Sequence, residues 1–188
     1  APLPFAQPNR LVSIGKGPEL IVPARWYGAL HDLPALQSVA YWTGASAANM
    51  ASPGKPTAPV TTMGVGESYL PTLGVHMALG RNFSAAELQR HGPRAVILSY
   101  GFWRQRYAGR DAALGSTLQV DGHTCTIVGV LPKRYRWIVP FDLLVPANLH
   151  QAIEQKWNLS VFARLHASIG VRQAGVQINE RLQQWLQA

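Results

Sequence analysis

The sequence is poor in the groups on which most enzyme chemistry depends. One cysteine in 188 residues, Cys125, excludes an intramolecular disulfide framework and a zinc site built mainly on thiolates. Carboxylates are scarce as well: nine Asp and Glu stand against 17 Lys and Arg, for a formal charge of +8. No stretch approaches the ~18 consecutive apolar residues that span a bilayer. The opening Ala1-Pro2-Leu3-Pro4-Phe5 lacks the basic n-region and apolar core of a signal peptide, and the chain starts as an excised piece would. Internal repeats and low-complexity tracts are absent. What the chain does have is apolar mass: 47% of its residues are hydrophobic, and six Trp, six Tyr and five Phe run along its whole length. Such a composition argues against disorder, and the length fits one domain or two small subdomains.

Local patterns predict an α+β chain. Arg10 to Ile14 alternates as a half-buried strand before Gly15 and Gly17. Leu30, Leu33, Leu36 and Val39 step by three and predict a helix over about 33–40, with Asp32 as N-cap and Pro34 in the first turn. Tyr41–Met50 and Thr57–Val65 read as strands joined through a Ser-Pro-Gly-Lys-Pro turn. Ser68 is expected to cap a short turn ending at Gly74. Ser84-Ala85-Ala86-Glu87 matches a capping box and predicts a one- to two-turn helix ending near Gly92. Ala95–Leu98 has strand length and a continuous apolar run, and Ser99 is placed to cap a helix from Tyr100 to Ala108. Asp121-Gly122 is the strongest hairpin signal. It pairs Val120 with His123, Leu118 with Cys125 and Ser116 with Ile127, which makes Cys125 a small buried hydrophobe. Strands follow at Asp142–Pro146 and Ser160–His166, and a helix from Val171 carries Ala174, Ile178, Leu182 and Trp185 on one apolar stripe.

Nothing in these patterns assembles a catalytic or cofactor site. Asp32, Glu87 and Asp121 read as caps or turn residues, which leaves Asp142 and Glu67 as the least explained carboxylates. His31 and Asp32 are neighbours that point apart on a helix. The six histidines show no metal-ligand spacing. Gly64-Val65-Gly66 lacks a third glycine and a following long helix, and Ser99 lacks a nucleophile elbow. Catalytic, cofactor and metal residues are therefore expected to be none. Charge is the remaining signal: nine of the 17 basic residues lie between Arg81 and Arg136, opposed only by Glu87, Asp111 and Asp121. Such a patch suits an acidic partner, anionic headgroups or nucleic acid, against the plainer reading of a solvated basic face. Nucleic acid is disfavoured, because Phe102, Trp103 and Tyr107 are at core spacing on their helix and not exposed for stacking.

A series of short blocks resembles one known family. Leu3-Pro4-Phe5-Ala6-Gln7-Pro8-Asn9-Arg10-Leu11-Val12 is similar to the opening of MacB-like periplasmic core domains of ABC-transporter permeases. Tyr69–Val75, Ala78–Phe83, Val96–Trp103, Leu118–Gly122, Ile127–Pro132 and Ala163–Leu165 with its following helix continue the match in order. Gln7-Pro8-Asn9 departs from the usual Asp-Pro-Asp, and Gly170 stands where a Ser or Thr helix cap is usual. Glycine is a tolerable cap.

The resemblance implies a fold and a setting. The fold would be a discontinuous porter-like α/β-sandwich subdomain, residues 1–78 and 141–188, carrying an inserted, mostly β subdomain at 79–140. The setting would be extracytoplasmic, between transmembrane helices 1 and 2 of a bacterial inner-membrane permease. The domain would be non-catalytic and would couple cytoplasmic ATP hydrolysis to periplasmic movement for export or efflux. Its implied partners are a cognate ABC ATPase domain or subunit, a second permease copy or half, and a periplasmic adaptor; no Walker sequence is present here. Arg104, Arg106, Arg110, Lys133, Arg134 and Arg136 are the candidate interaction patch. The alternative is a free-standing binding protein for an acidic or peptidic ligand.

Overall fold

The computed structural model describes residues 5–15 and 20–187; residues 1–4 of the opening block, and Gly17, lie outside them. In chain order the strands are β1 (Leu11–Ile14), β2 (Ile21–Pro23), β3 (Leu36–Ser52), β4 (Lys55–Val65), β5 (Leu79–Gly80), β6 (Ala95–Leu98), β7 (Thr117–Val120), β8 (His123–Val130), β9 (Leu143–Pro146) and β10 (Asn158–Leu165). The helices are α1 (Tyr27–Leu30), α2 (Tyr69–Leu73), α3 (Tyr100–Tyr107), α4 (Leu149–Glu154) and α5 (Val171–Gln187).

All ten strands belong to one sheet, in the order β1-β10-β3-β4-β9-β6-β8-β5 with β2 on β10 and β7 on both β3 and β8. This last pairing changes the shape. Because β7 pairs with β8 through Val120↔His123 and with β3 through Met50↔Val120, the strands β3, β4, β9, β6, β8 and β7 close into a ring. Closure leaves the ring strands without free edges for intermolecular pairing, while β1 stays at an outer edge of the open part of the sheet. The long β3–β4 hairpin therefore does two jobs: its proximal half lies in the open sheet beside β10 and β1, and its distal half is part of the ring wall.

Three apolar clusters follow from the two-residue period of the strands. Inside the ring, Ala48, Met50, Val60, Val96, Leu98, Leu118, Cys125, Ile127 and Leu143 pack together, with Trp103 of α3 joining them. On one face of the open sheet, Val39, Tyr41, Val161, Ala163 and Leu165 pack with α1, with Ala152 of α4 and with Ala174 of α5. On the other, Ala40, Trp42, Met63 and Phe162 meet α2, Phe5 and the aromatic pair Tyr135 and Trp137. β6 shows how the clusters interleave: Val96 and Leu98 point into the ring, while Ala95 and Ile97 point into the aromatic cluster.

Several expectations hold in detail. The Asp121-Gly122 turn has φ of +47° and +78°, and the register runs through Leu118↔Cys125, with the Ile127 amide bonded to the Ser116 carbonyl. Ser99 caps α3 by accepting the Phe102 amide, and Gly74 ends α2 in the left-handed region. The Gly170 carbonyl accepts the Ala174 amide at 3.0 Å, so glycine opens α5.

Others are corrected. The helix expected at 33–40 is a turn followed by the start of β3. Val39 and Tyr41 bury on one face and Ala40 and Trp42 on the other, and a strand buried on both faces carries no polar alternation to betray its period. Ser84 and Glu87 do form the reciprocal capping bonds, at 2.8 and 3.4 Å, but on a turn and not a helix. The Ser68 side chain does not cap α2. The short strand β2 and the helices α1 and α4 match none of the elements that local patterns predict, because each spans only three to six residues, too short for a periodic signal.

Two glycines test the backbone and the packing separately. A Cβ on Gly122 meets nothing within 4 Å, so Gly122→Ala pays only for its left-handed backbone, about 1 kcal/mol. A Cβ on Gly66 would lie 2.4 Å from Tyr41 Cε1, in a ring held by its hydroxyl bond to the Ala147 carbonyl. Gly66→Ala should cost about 3 kcal/mol, and urea unfolding of the two variants measures the difference.

Candidate interaction surface

Of the two carboxylates left unexplained by sequence, Asp142 turns out to be structural. The Asp142 amide donates to the Thr61 carbonyl and its Oδ2 accepts the Thr61 amide, both at 2.8 Å, while its own carbonyl accepts the Ser99 amide. Asp142 thus ties β4 to the β9–β6 junction. Asp121 repeats the device on the far side of the ring, donating its amide to the Asn49 carbonyl and accepting the Asn49 amide, again at 2.8 Å each. Glu67 is exposed, and its carbonyl accepts a bond from Asn82. His31 and Asp32 touch at 3.2 Å, contrary to the expectation that they point apart, because they lie in the turn after α1 where no helix separates them. Both are open to solvent, with 67% and 85% of their side-chain surface exposed, and no other side chain among the described residues bonds to either. Burial pushes the Cys125 thiol upward, and no group of three or more metal-ligating side chains occurs among the described residues.

Cations dominate the outer surface. α3 carries Arg104 and Arg106. Trp103 anchors the helix in the ring interior, with its indole N–H donating to the Arg110 carbonyl at 3.0 Å. The chain leaves α3 through Ala108 and Gly109, both at positive φ, and the Arg104 guanidinium folds over Gly109. The second group rides on the turn after Pro132. Tyr135 pins this turn, its hydroxyl 2.6 Å from that of Tyr69, and Arg136 donates to the Lys133 and Tyr135 carbonyls. α3 packs on the ring interior and the Lys133–Arg136 turn on the aromatic cluster, so the structure carries the six candidate cations in two groups on different cores. Of the nine cations between 81 and 136, Arg81 pairs with Glu87 and Arg90 with Glu154; the remaining seven have no carboxylate partner among the described residues. Two positions that sequence reasoning passed over, Ser52 and Lys55 at the tip of the β3–β4 hairpin, lie against α3. Lys55 Nζ donates to the Arg106 carbonyl at 2.6 Å, and Arg106 Nη2 donates to the Pro56 carbonyl at 3.2 Å. No local motif signals a contact between residues 51 positions apart.

This fold is that of extracytoplasmic domains of transporters. The chain superposes on the periplasmic region of MacB from Actinobacillus actinomycetemcomitans with a TM-score of 0.74 at 16% identity, over 97% of this chain and 86% of that one. It matches the extracellular domain of the noncanonic ABC-type transporter YknZ from Gram-positive bacteria with a TM-score of 0.63 at 15% identity, over 92% and 93% of the two chains. No curated protein matches it by sequence. The family model of the MacB-like periplasmic core domain matches residues 3–181, and the chain belongs to that family. It is an extracytoplasmic domain of a MacB-like ABC-type transporter permease. No helix among the described residues is long and apolar enough to cross a membrane.

Two ionic features yield predictions. The Arg81 guanidinium, bonded to both Glu87 oxygens at 2.8 and 2.9 Å, holds the Glu87 carboxyl at about 2 against an ordinary 4.5. A folded-state value below the unfolded one stabilises at neutral pH and loses that contribution as pH falls from about 4.5 towards 2. Unfolding midpoints of Glu87→Gln should therefore fall less steeply across this window than those of the parent. Asp142→Ala leaves the Thr61 amide unpaired and should cost about 1–3 kcal/mol, with Asp142→Asn recovering part of the loss because the amide oxygen still accepts. Urea unfolding of both variants checks this.

Proposed function

We propose that this domain is a mechanical element that couples cytoplasmic ATP hydrolysis to periplasmic conformational change for export or efflux. It would lie between transmembrane helices 1 and 2 of the permease and act opposite a second copy or half, with ATP consumed by a cognate ABC ATPase domain or subunit. The observation that carries this reading is the continuity of the sheet. β1 and β10, near the two ends of the described chain, pair side by side and join through β3 and β4 to the closed ring. Displacement applied at β1 and β10 would then move the ring as one body. On this reading residues 1–78 and 141–188 form the porter-like subdomain and 79–140 the insertion. The insertion supplies β6, β7 and β8 of the ring, while β3, β4 and β9 complete it.

The chemistry expected of such an element is surface recognition. The cations of α3, with Arg110, and those of the Lys133–Arg136 turn would face an adaptor, anionic headgroups or an acidic cargo. The test is transport by the full-length permease reconstituted with its ATPase in proteoliposomes. Reversal of Arg104, Arg106 and Arg110 together to glutamate should lower transport about tenfold or more while ATP hydrolysis continues, a change equivalent to losing one strong charged contact. Unchanged transport in a folded variant would overturn the role given to this face.

A further inference from the structure

We propose that the cleft between the β3–β4 hairpin tip and the C-terminal end of α3 binds an oxyanion, a phosphate or phosphate-ester group. This deepens the reading of the α3 face given above. The cleft has a volume of about 740 Å³ and is lined by Ser52 and Lys55 from the tip, Arg106 and Tyr107 from α3, and Arg110 beyond it; no carboxylate is among its lining residues. Three cationic residues line the cleft and no anionic one does.

A second observation points the same way. Six buried side-chain polar atoms among the described residues have no hydrogen-bond partner, and three of them meet at this cleft: Ser52 Oγ, Arg106 Nε and the Tyr107 hydroxyl. All three can donate. Ser52 and Tyr107 face each other without a hydrogen bond of good geometry, and burial pushes the Tyr107 pKa upward, so its hydroxyl keeps its proton. Buried donors are normally satisfied, and their coincidence with three cations defines the missing acceptor as anionic. The smaller cleft beside β8, about 520 Å³, lacks this character, because Glu87 and Asp121 line it together with Arg90 and Arg94.

The geometry also supplies a way in. Two bonds, Lys55 Nζ to the Arg106 carbonyl and Arg106 Nη2 to the Pro56 carbonyl, tie the tip to the helix. Lys55 Nζ also sits 5.5 Å from the centre of the Tyr107 ring. A charged oxyanion is a stronger acceptor than a neutral carbonyl. An entering phosphate would therefore take over both cations as the tip parts from α3, and the parting uncovers the three unpaired donors. The β3–β4 register already shifts between Met50 and Ser52, beside the tip.

The test is a titration of the isotope-labelled 188-residue domain with inorganic phosphate at constant ionic strength, followed by NMR. Amides of Gly54, Lys55 and Tyr107 to Arg110 should shift saturably. Arg110→Gln should weaken binding about fivefold or more and Tyr107→Phe about threefold, while Arg172→Gln, on α5 and outside the cleft lining, leaves affinity unchanged. Phosphate saturation together with sedimentation on phosphatidylglycerol but not phosphatidylcholine vesicles, lost in Arg110→Gln, assigns the group to a lipid headgroup. Saturation without vesicle binding assigns it to a soluble anion. Shifts that do not saturate, whatever the vesicles do, or equal affinities in Arg110→Gln and Arg172→Gln, overturn the proposal. Because the titration uses the isolated domain, its failure leaves the transport role to its own test.

Discussion

Closure of the six-stranded ring depends on two aspartates that each grip one residue of the long hairpin by both of its backbone polar groups. Asp121 holds the amide and carbonyl of Asn49 in β3, and Asp142 holds those of Thr61 in β4. Each uses its own amide as donor and its carboxylate as acceptor, so each completes a two-bond strand pairing where regular ladder pairing runs out. Asp121 extends the two-residue pairing of β3 with β7, and Asp142 the four-residue pairing of β4 with β9. Charge-assisted bonds to backbone amides are stronger than neutral ones, which suits their position at the ends of these two ladders.

This arrangement explains where a chain with few carboxylates places the ones it has. Asp121 and Asp142 close the ring, Glu87 completes a turn through Arg81 and Ser84, and Glu154 holds Arg90. Four of the nine acids are held in these contacts, and 17 Lys and Arg outnumber all nine, so the charge becomes a property that partners can read. The core has a cation of its own, for Arg164 is 7% exposed and has no carboxylate partner among the described residues. Its guanidinium donates to the Thr72 carbonyl at the end of α2, at 3.0 and 2.7 Å, and to the Gln7 carbonyl, so a buried cation is satisfied by backbone alone. Its position between β10, α2 and the segment leading into β1 ties together the strands at which the proposed displacement would enter.

Much of the local structure was legible in the sequence, and the reason is that local rules governed it. The Asp121-Gly122 hairpin, the Ser99 cap and the amphipathic stripe of α5 each rest on residues within a few positions of one another. The helix expected at 33–40 failed where tertiary burial on both faces erased the strand period. The long-range features were hidden for a different reason. Asp121 meets Asn49 across 72 positions, Asp142 meets Thr61 across 81, and Lys55 meets Arg106 across 51. Sequence reading identified Asp121 as a turn former and Asp142 as a residue in want of a role, but ring closure depends on topology, which no spacing encodes. The family resemblance supplied what local patterns lacked, and the family match over residues 3–181 agrees with it.

The central claim is that the open sheet and the ring behave as one mechanical body. Native-state hydrogen exchange tests it most directly, because it reports the free energy at which each amide opens. If the two move together, slow amides of β3, β10, β6, β8 and β9 share one opening free energy and one dependence on urea, equal to those of global unfolding. A separate, lower-energy opening confined to β6, β7 and β8 would contradict it, since a ring that unfolds while β1, β10 and β3 stay folded cannot carry force between them.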